Sequence, residues 1–258
     1  MTPVQLRKLT GWVFILTPIL INIPYTLLVM TFDYPDVLRQ APGDVLTRYQ
    51  AGGTTLLLTW WAFAIVGLPL VLAIIALRQL MQRTDTPYLQ TATTIGVVGA
   101  IVQMVGLLRW TFVVPILAQT YADPSSSEST RAATIVTFQA IHQYGGVALG
   151  EHMGQLFTIV WMVLVSLAMF NAPLFRPWLA WFGLVAALVY LLAQTVLFAT
   201  VMPNVPVVPQ AGLIGSLLWL AWLIATGVFL VRPHLGRSET VSPHAATTTV
   251  RHAGVSDT

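Results

Sequence analysis

Arg109 and Glu151 are the two formally charged side chains that fall inside segments apolar enough to cross a bilayer, and all other charges lie in loops or tails. A charge in hydrocarbon costs roughly 2.5–3.5 kcal/mol on insertion scales, so an intramembrane ion marks a functional site by default and calls for a partner. A guanidinium and a carboxylate together can neutralise one another, hold a polar group of a ligand, or pass a proton. Glu151 belongs to the run from Gly146 to Gly154, in which glycines at 146, 150 and 154 form two overlapping G-x-x-x-G steps. Such steps let a neighbouring helix approach closely, and they read as the packing seam of this span. On an α-helix Tyr144, Glu151, Gln155 and Thr158 share one narrow polar face beside that seam, which turns Glu151 toward protein.

The preceding apolar segment presents Gln103, Arg109 and Trp110, followed by Pro115, whose missing N–H frees the carbonyl of Thr111. At about 1.5 Å per residue Arg109 lies roughly 12–14 Å below the outer end of its helix, and Glu151 roughly 8 Å below the start of its own. Consecutive helices run antiparallel, so the expectation is a buried Arg109–Glu151 ion pair, with Tyr144, Gln155 or His152 completing its hydrogen bonds. That pair either fixes helix register or lines a binding pocket open to the exterior.

Other chemistries fit less well. Zinc-protease spacings and a G-x-S-x-G elbow are absent, and Glu151 and His152, adjacent on a helix, diverge too far to chelate one ion. His142 and His152 share a segment, whereas a dihaem site needs histidines on facing helices. With no cysteine there is no thiolate metal site, iron–sulfur ligand or disulfide. No metal, no cofactor and no catalytic residue is assigned.

The elements that must position these residues follow from composition. The 258 residues are 56% hydrophobic and 8% charged, with a mean hydropathy of +0.77. Soluble domains carry about 25% charged residues, so this is an all-α polytopic membrane helix bundle. Six transmembrane helices are predicted near Gly11–Phe32, Thr54–Leu77, Thr91–Ala118, Gly146–Phe170, Trp178–Thr200 and Gly212–Val231. Residues 1–232 form this domain, and 233–258, rich in Ser, Thr, His and Ala, read as a disordered cytoplasmic tail. An even number of spans puts both termini on one side. Eight Lys and Arg residues lie on that side against three, Arg39, Arg48 and Arg131, on the other, so the termini are expected in the cytoplasm. The basic excess is scattered rather than striped, which excludes a nucleic-acid partner and leaves the lipid bilayer.

Three loops and one span carry further expectations. The turn-rich segment 33–50 can fold partly over the bundle. After Asp123 a Ser N-cap with Glu128 in the first turn starts an amphipathic helix that feeds into span four. The prolines at 203, 206 and 209 make an extended loop, and Asn22 between Pro18 and Pro24 marks a break in span one that could line a cavity.

Leu108, Arg109 and Trp110, followed by Val114, Pro115, Leu117 and Ala118, and then the run from His142 to Gly154, resemble a family of bacterial multipass membrane proteins. That family is grouped as domain of unknown function 4386. The resemblance covers about residues 8–232 and is most specific at Gly150, Glu151 and His152. It implies a six-span fold in the bacterial inner membrane, with Arg109, Trp110, Pro115, Gly150, Glu151, His152 and Gly154 in the family pattern and no established activity.

Three functions are weighed. The leading one is a non-enzymatic binder, carrier or accessory protein for a small or lipid-like molecule, held at Arg109, Glu151, His152, Tyr144, Gln155 and Trp110. The second is a membrane enzyme acting on a lipid or isoprenoid, with Glu151 as proton donor. The third is a structural subunit whose glycine seam takes a partner protein's helix.

Overall fold

The computed structural model describes residues 1–81, 88–202 and 204–232. The disordered-tail reading of 233–258 and the proline at 203 lie outside the described residues. Helix α1 (Pro3–Phe32) opens on a capping box, in which Gln5 donates its backbone N–H to the Thr2 hydroxyl at 3.2 Å and accepts from the Thr2 amide at 2.8 Å. It ends at Asp33, whose left-handed φ of 60° directs its N–H to the Leu28 carbonyl. Aspartate tolerates this conformation better than most residues. A 3-10 turn (Asp36–Arg39) then leads to α2 (Pro42–Ile65), α3 (Leu68–Met81), α4 (Leu89–Phe112), α5 (Val114–Ala122) and α6 (Glu128–Ile141). A π-helix (His142–Met153), α7 (Gly154–Met169), α8 (Pro177–Leu192), α9 (Gln194–Phe198) and α10 (Ala211–Val231) follow.

Six of these helical stretches are long and apolar enough to cross a membrane, namely α1, α2 with α3, α4 with α5, α6 through α7, α8 with α9, and α10. The protein is a multipass membrane protein. Gly11 near the start of α1 abuts Gly227 and Val231 near the end of α10, so the two ends of the described chain meet at one end of the bundle. The opposite end, carrying residues 33–41 and 123–127, is called distal here.

Local reading and structure diverge at two places. The turn-rich 33–50 segment is helical from Pro42 onward, and α2 runs through a kink at Gly53, whose φ of 54° only glycine accepts readily. Asn22 does not mark a break. α1 is continuous past Pro18 and Pro24, and the Asn22 amide donates to the Pro18 carbonyl at 2.8 Å within the same helix. As expected, α6 feeds into span four, winding on through the π-helix into α7. Its start is as local chemistry dictates: the Ser127 hydroxyl accepts from the Thr130 N–H, and Glu128 occupies the first turn. Just before it, the hydroxyl and amide of Ser125 both donate to Asp123, holding that carboxyl below the usual range.

The bundle closes as a ring, in which α1 packs against α10, α3 and α2, α4 against α2, α3 and α7, and α8 against α7 and α10. Two cores result. The larger is mostly aliphatic and is anchored by residues such as Phe14, Leu77, Met162, Leu179 and Trp222. The smaller lies toward the distal end and is centred on the aromatic side chains of Phe32, Tyr49, Trp60, Trp110 and Phe138, with Val37 of the 3-10 turn sealed into it.

Candidate functional site

The site is assembled where α1 gives out. With α1 stopped at Asp33, residues 34–41 are free to cross the distal end, and burial of Val37 presses this short cap onto the aromatic core. Asp33 steadies the cap from below, accepting from the Gln40 amide at 2.7 Å and from Arg48 at 3.3 Å. The cap carries Arg39 to span four, where its Nη2 donates to Glu151 Oε2 at 3.0 Å. Arg39 and Glu151 form one of two ion pairs among the described residues, the other being Arg48 with Asp33.

Arg109 lies one turn from the end of α4 and is buried, with 7% of its surface exposed. It bonds its own helix, Nη1 donating to the Gly106 carbonyl, and its guanidinium carbon lies 5.3 Å from the ring centroid of Trp110. Cation–π attraction of this kind strengthens where water is excluded. Trp110 is fully buried, stacked on Trp60 at 4.7 Å and on Tyr49 at 5.9 Å, and the Tyr49 hydroxyl donates to the Trp110 carbonyl. Pro115 contributes by position: α4 stops at Phe112, Val113 takes a φ of −110°, and α5 resumes at Val114.

Glu151 owes its placement to the π-helix. π-Helices close i→i+5 hydrogen bonds, are rare beyond a single turn and gather at functional sites, yet here one runs for 12 residues. Its glycines explain how it packs. A Cβ at Gly146 would stand 2.5 Å from Arg109 Nη2, one at Gly150 would stand 3.1 Å from the Cα of Gly106, and one at Gly154 would collide with the Gln103 side chain. Bare backbone on this face is therefore what lets α4, with its arginine, lie against span four. The seam is filled from within the chain.

Arg109 and Glu151 are not in direct contact, which corrects the expected ion pair. They remain within electrostatic range of one another, together with Arg39 and Tyr34. Arg39 takes the partner role because the cap reaches Glu151 from above, whereas Arg109 is drawn back along α4 by the Gly106 carbonyl and the Trp110 face. The shared polar face also fails. At i→i+5 spacing the 100° step of an α-helix no longer applies, and Tyr144 is 67% exposed while the Glu151 side chain is 21% exposed. His152 and Gln155 form a second polar group instead: His152 Nδ1 lies 2.6 Å from Gln194 Oε1, and Gln194 donates to Gln155 Oε1 at 2.9 Å. Thr158 bonds Gln103 at 3.3 Å.

Several participants were not singled out by sequence reasoning. In the sequence Arg39 bears only on topology, and Gln194 carries no signal of a role. Tyr34 of the cap and Tyr190 of α8 both sense the charge of Glu151. Burial first, then Glu151, push the Tyr34 phenol up, with Arg109 opposing, so Tyr34 stays a hydrogen-bond donor. His142 stacks on Phe138 at 5.4 Å and meets Trp110 edge-on at 6.1 Å. His142 also reaches the Leu38 backbone of the cap, whereas Arg109 Nε, Glu151 Oε1 and the indole nitrogens of Trp60 and Trp110 are buried without a hydrogen-bond partner. A signal for the cap existed in its brevity, since so few residues after a helix end must stay close to that end.

The family model described as "Domain of unknown function (DUF4386)" matches residues 9–227. Neither a curated protein nor a solved structure matches the chain.

Proposed function

Because this chain belongs to the family described as domain of unknown function (DUF4386), its function has to be read from its own geometry, and we propose that it is a membrane-embedded binder or carrier of a small or lipid-like molecule. The molecule is held at the distal site formed by Arg39, Arg109 and Glu151 under the 34–41 cap.

The observation that carries this reading is the gathering of unsatisfied polar atoms at one depth. Arg109 Nε and Glu151 Oε1 lack partners beside the unpartnered indoles of Trp60 and Trp110. Each such group costs about 1–3 kcal/mol when buried and unpaired, so folding alone gives no reason to collect them. A ligand with polar atoms would satisfy them. The enzyme alternative is less well supported, because Glu151 already serves as the carboxylate of an ion pair and proton donation would require that pair to break. The partner-subunit alternative loses its motive, since the glycine seam is occupied by α4. The distribution of Lys and Arg supports a distal end facing the exterior and termini in the cytoplasm, as in a bacterial inner-membrane protein.

The test is native mass spectrometry of the full chain released gently from its membrane, beside Arg109→Gln of matched thermal stability. A molecule retained by the wild type and lost from the variant is the expected result. Equal retention by both, or no bound molecule and no stabilisation by any member of a lipid panel, overturns the reading.

A further inference from the structure

The distal site holds two guanidiniums and one carboxylate, and the carboxylate is poorly matched to either guanidinium. Arg–carboxylate pairs favour a two-pronged arrangement in which both oxygens are engaged. Glu151 instead takes one bond from Arg39 through Oε2, and its Oε1 is buried and unpartnered. Arg109 has no carboxylate in contact at all. Its bonding is limited to a backbone carbonyl and an aromatic face, and its Nε is unpartnered although the residue is 7% exposed.

The formal charges of Arg39, Arg109 and Glu151 leave one positive charge over. The other acids of the cap do not cancel it at short range: Asp33 is engaged by Arg48 and Gln40, and Asp36 is placed within range of Tyr25. An uncancelled charge close to hydrocarbon is costly, and an anion is the species that relieves the cost. Tyr34, kept protonated, adds a neutral donor on the same side. A way in exists as well, because Arg39 and Glu151 keep 37% and 21% of their side-chain surfaces exposed, while Arg109 behind them is sealed.

We propose that Arg39 and Arg109 form a two-guanidinium receptor for a singly charged phosphate or carboxylate headgroup, with Glu151 holding Arg39 in position when no headgroup is present. The planar fork of arginine suits both anions, and a compact ammonium would not reproduce it. Glu151 thus stays part of the site while it competes with the headgroup for Arg39. This inference rests on the binding site proposed above and adds the sign of the ligand, the second arginine and the role of the carboxylate.

The experiment uses the full chain in a neutral detergent and measures binding of four probes by native mass spectrometry and thermal shift. The probes are dioleoylphosphatidylglycerol, oleate, dioleoylphosphatidylcholine and monoolein. Wild-type protein retains the two anionic probes at least tenfold more tightly than the zwitterionic and neutral ones. Arg39→Gln and Arg109→Gln each lose that preference, and Arg39→Lys recovers it only in part. Glu151→Gln binds the anions more tightly than wild type, because Arg39 is released and a negative charge removed. Arg39 sits on the exposed cap, so its variants test the idea even where Arg109→Gln folds poorly. Inorganic phosphate added as competitor separates the two sources: displacement of oleate at millimolar phosphate points to a free anion, and lack of displacement points to a lipid. Weaker anion binding in Glu151→Gln overturns the receptor, as does equal binding of all four probes. Tight, Arg109-dependent binding of monoolein alone would leave the binding site standing and remove its anionic character. Failure of every probe would remove both.

Discussion

Trp222 and Trp110 are both fully buried, yet they sit in cores of different kinds. In the larger core the Trp222 indole donates to the Leu179 carbonyl at 3.1 Å, and most neighbouring side chains are aliphatic. In the distal aromatic core the indole nitrogens of Trp110 and its stacking neighbour Trp60 have no partner, and neither has Arg109 Nε beside them. The larger core has exceptions in Ser166 and Trp219, but these are single atoms away from the ion pair. One half of the molecule is built as a membrane bundle normally is, with its polar atoms paired. The other half keeps cations, a carboxylate and unpaired donors at one level, and the contrast locates function better than any one residue does.

The largest effects should come from the glycine contacts that exist in both halves. A Cβ at Gly227 would stand 2.5 Å from the backbone oxygen of Gly11, and one at Gly150 would stand 3.1 Å from the Cα of Gly106. Where the obstacle is backbone it cannot turn aside, so Gly227→Leu and Gly150→Leu should each cost about 1–3 kcal/mol or more, read as a lower melting temperature by circular dichroism. The two should differ in their functional consequence. Gly150→Leu moves the π-helix against α4 and should abolish ligand retention, while Gly227→Leu, assayed well below its melting point, should keep it. Retention in both variants would break the contrast between the halves.

How much of this was legible in the sequence depended on distance along the chain. Six apolar runs, the Ser127 cap and the amphipathic helix before span four follow from residues close together, and the structure has them. The Arg39–Glu151 contact joins residues 112 positions apart, and no periodicity announces it. The π-helix was hidden for a different reason: glycines at 146, 150 and 154 satisfy an α-helical motif so well that the α-helical period was applied to the whole segment. That choice aligned Tyr144 with Glu151 and missed the turn that separates them. A lone glutamine within a span usually bonds locally, yet Gln194 links His152 to Gln155. Pro42 begins a helix, not a loop, because a proline in the first turn surrenders an N–H that would be unpaired anyway.

A smaller effect sharpens the same contrast at a single atom. Trp222→Phe removes a donor to the Leu179 carbonyl, whereas Trp110→Phe removes an indole N–H that has no partner. Both lose similar volume, so the difference between them isolates the hydrogen bond. Trp222→Phe should be the more destabilising by about 1 kcal/mol, measured by denaturant titration in mixed micelles. Equal losses would mean that the Trp110 indole is satisfied after all, by water or a retained molecule, and repeating the pair after exhaustive delipidation tells which.

The smallest effect bears most directly on what the charges are for. A double-mutant cycle on Arg39→Ala and Glu151→Ala measures the coupling between the two side chains. Removing one partner of a fully buried pair costs 3–5 kcal/mol because the other charge is left stranded. Here the side chains are 37% and 21% exposed and joined by a single bond of 3.0 Å, so water screens both ends of the contact. The coupling should then be about 0.2–1 kcal/mol, the range of exposed pairs. A value near 3 kcal/mol would make the pair a structural clamp that fixes the cap to span four, and the same ion pair would have to be read as part of the fold. A small value leaves Glu151 weakly held, as a carboxylate must be if an incoming anion is to take Arg39 from it.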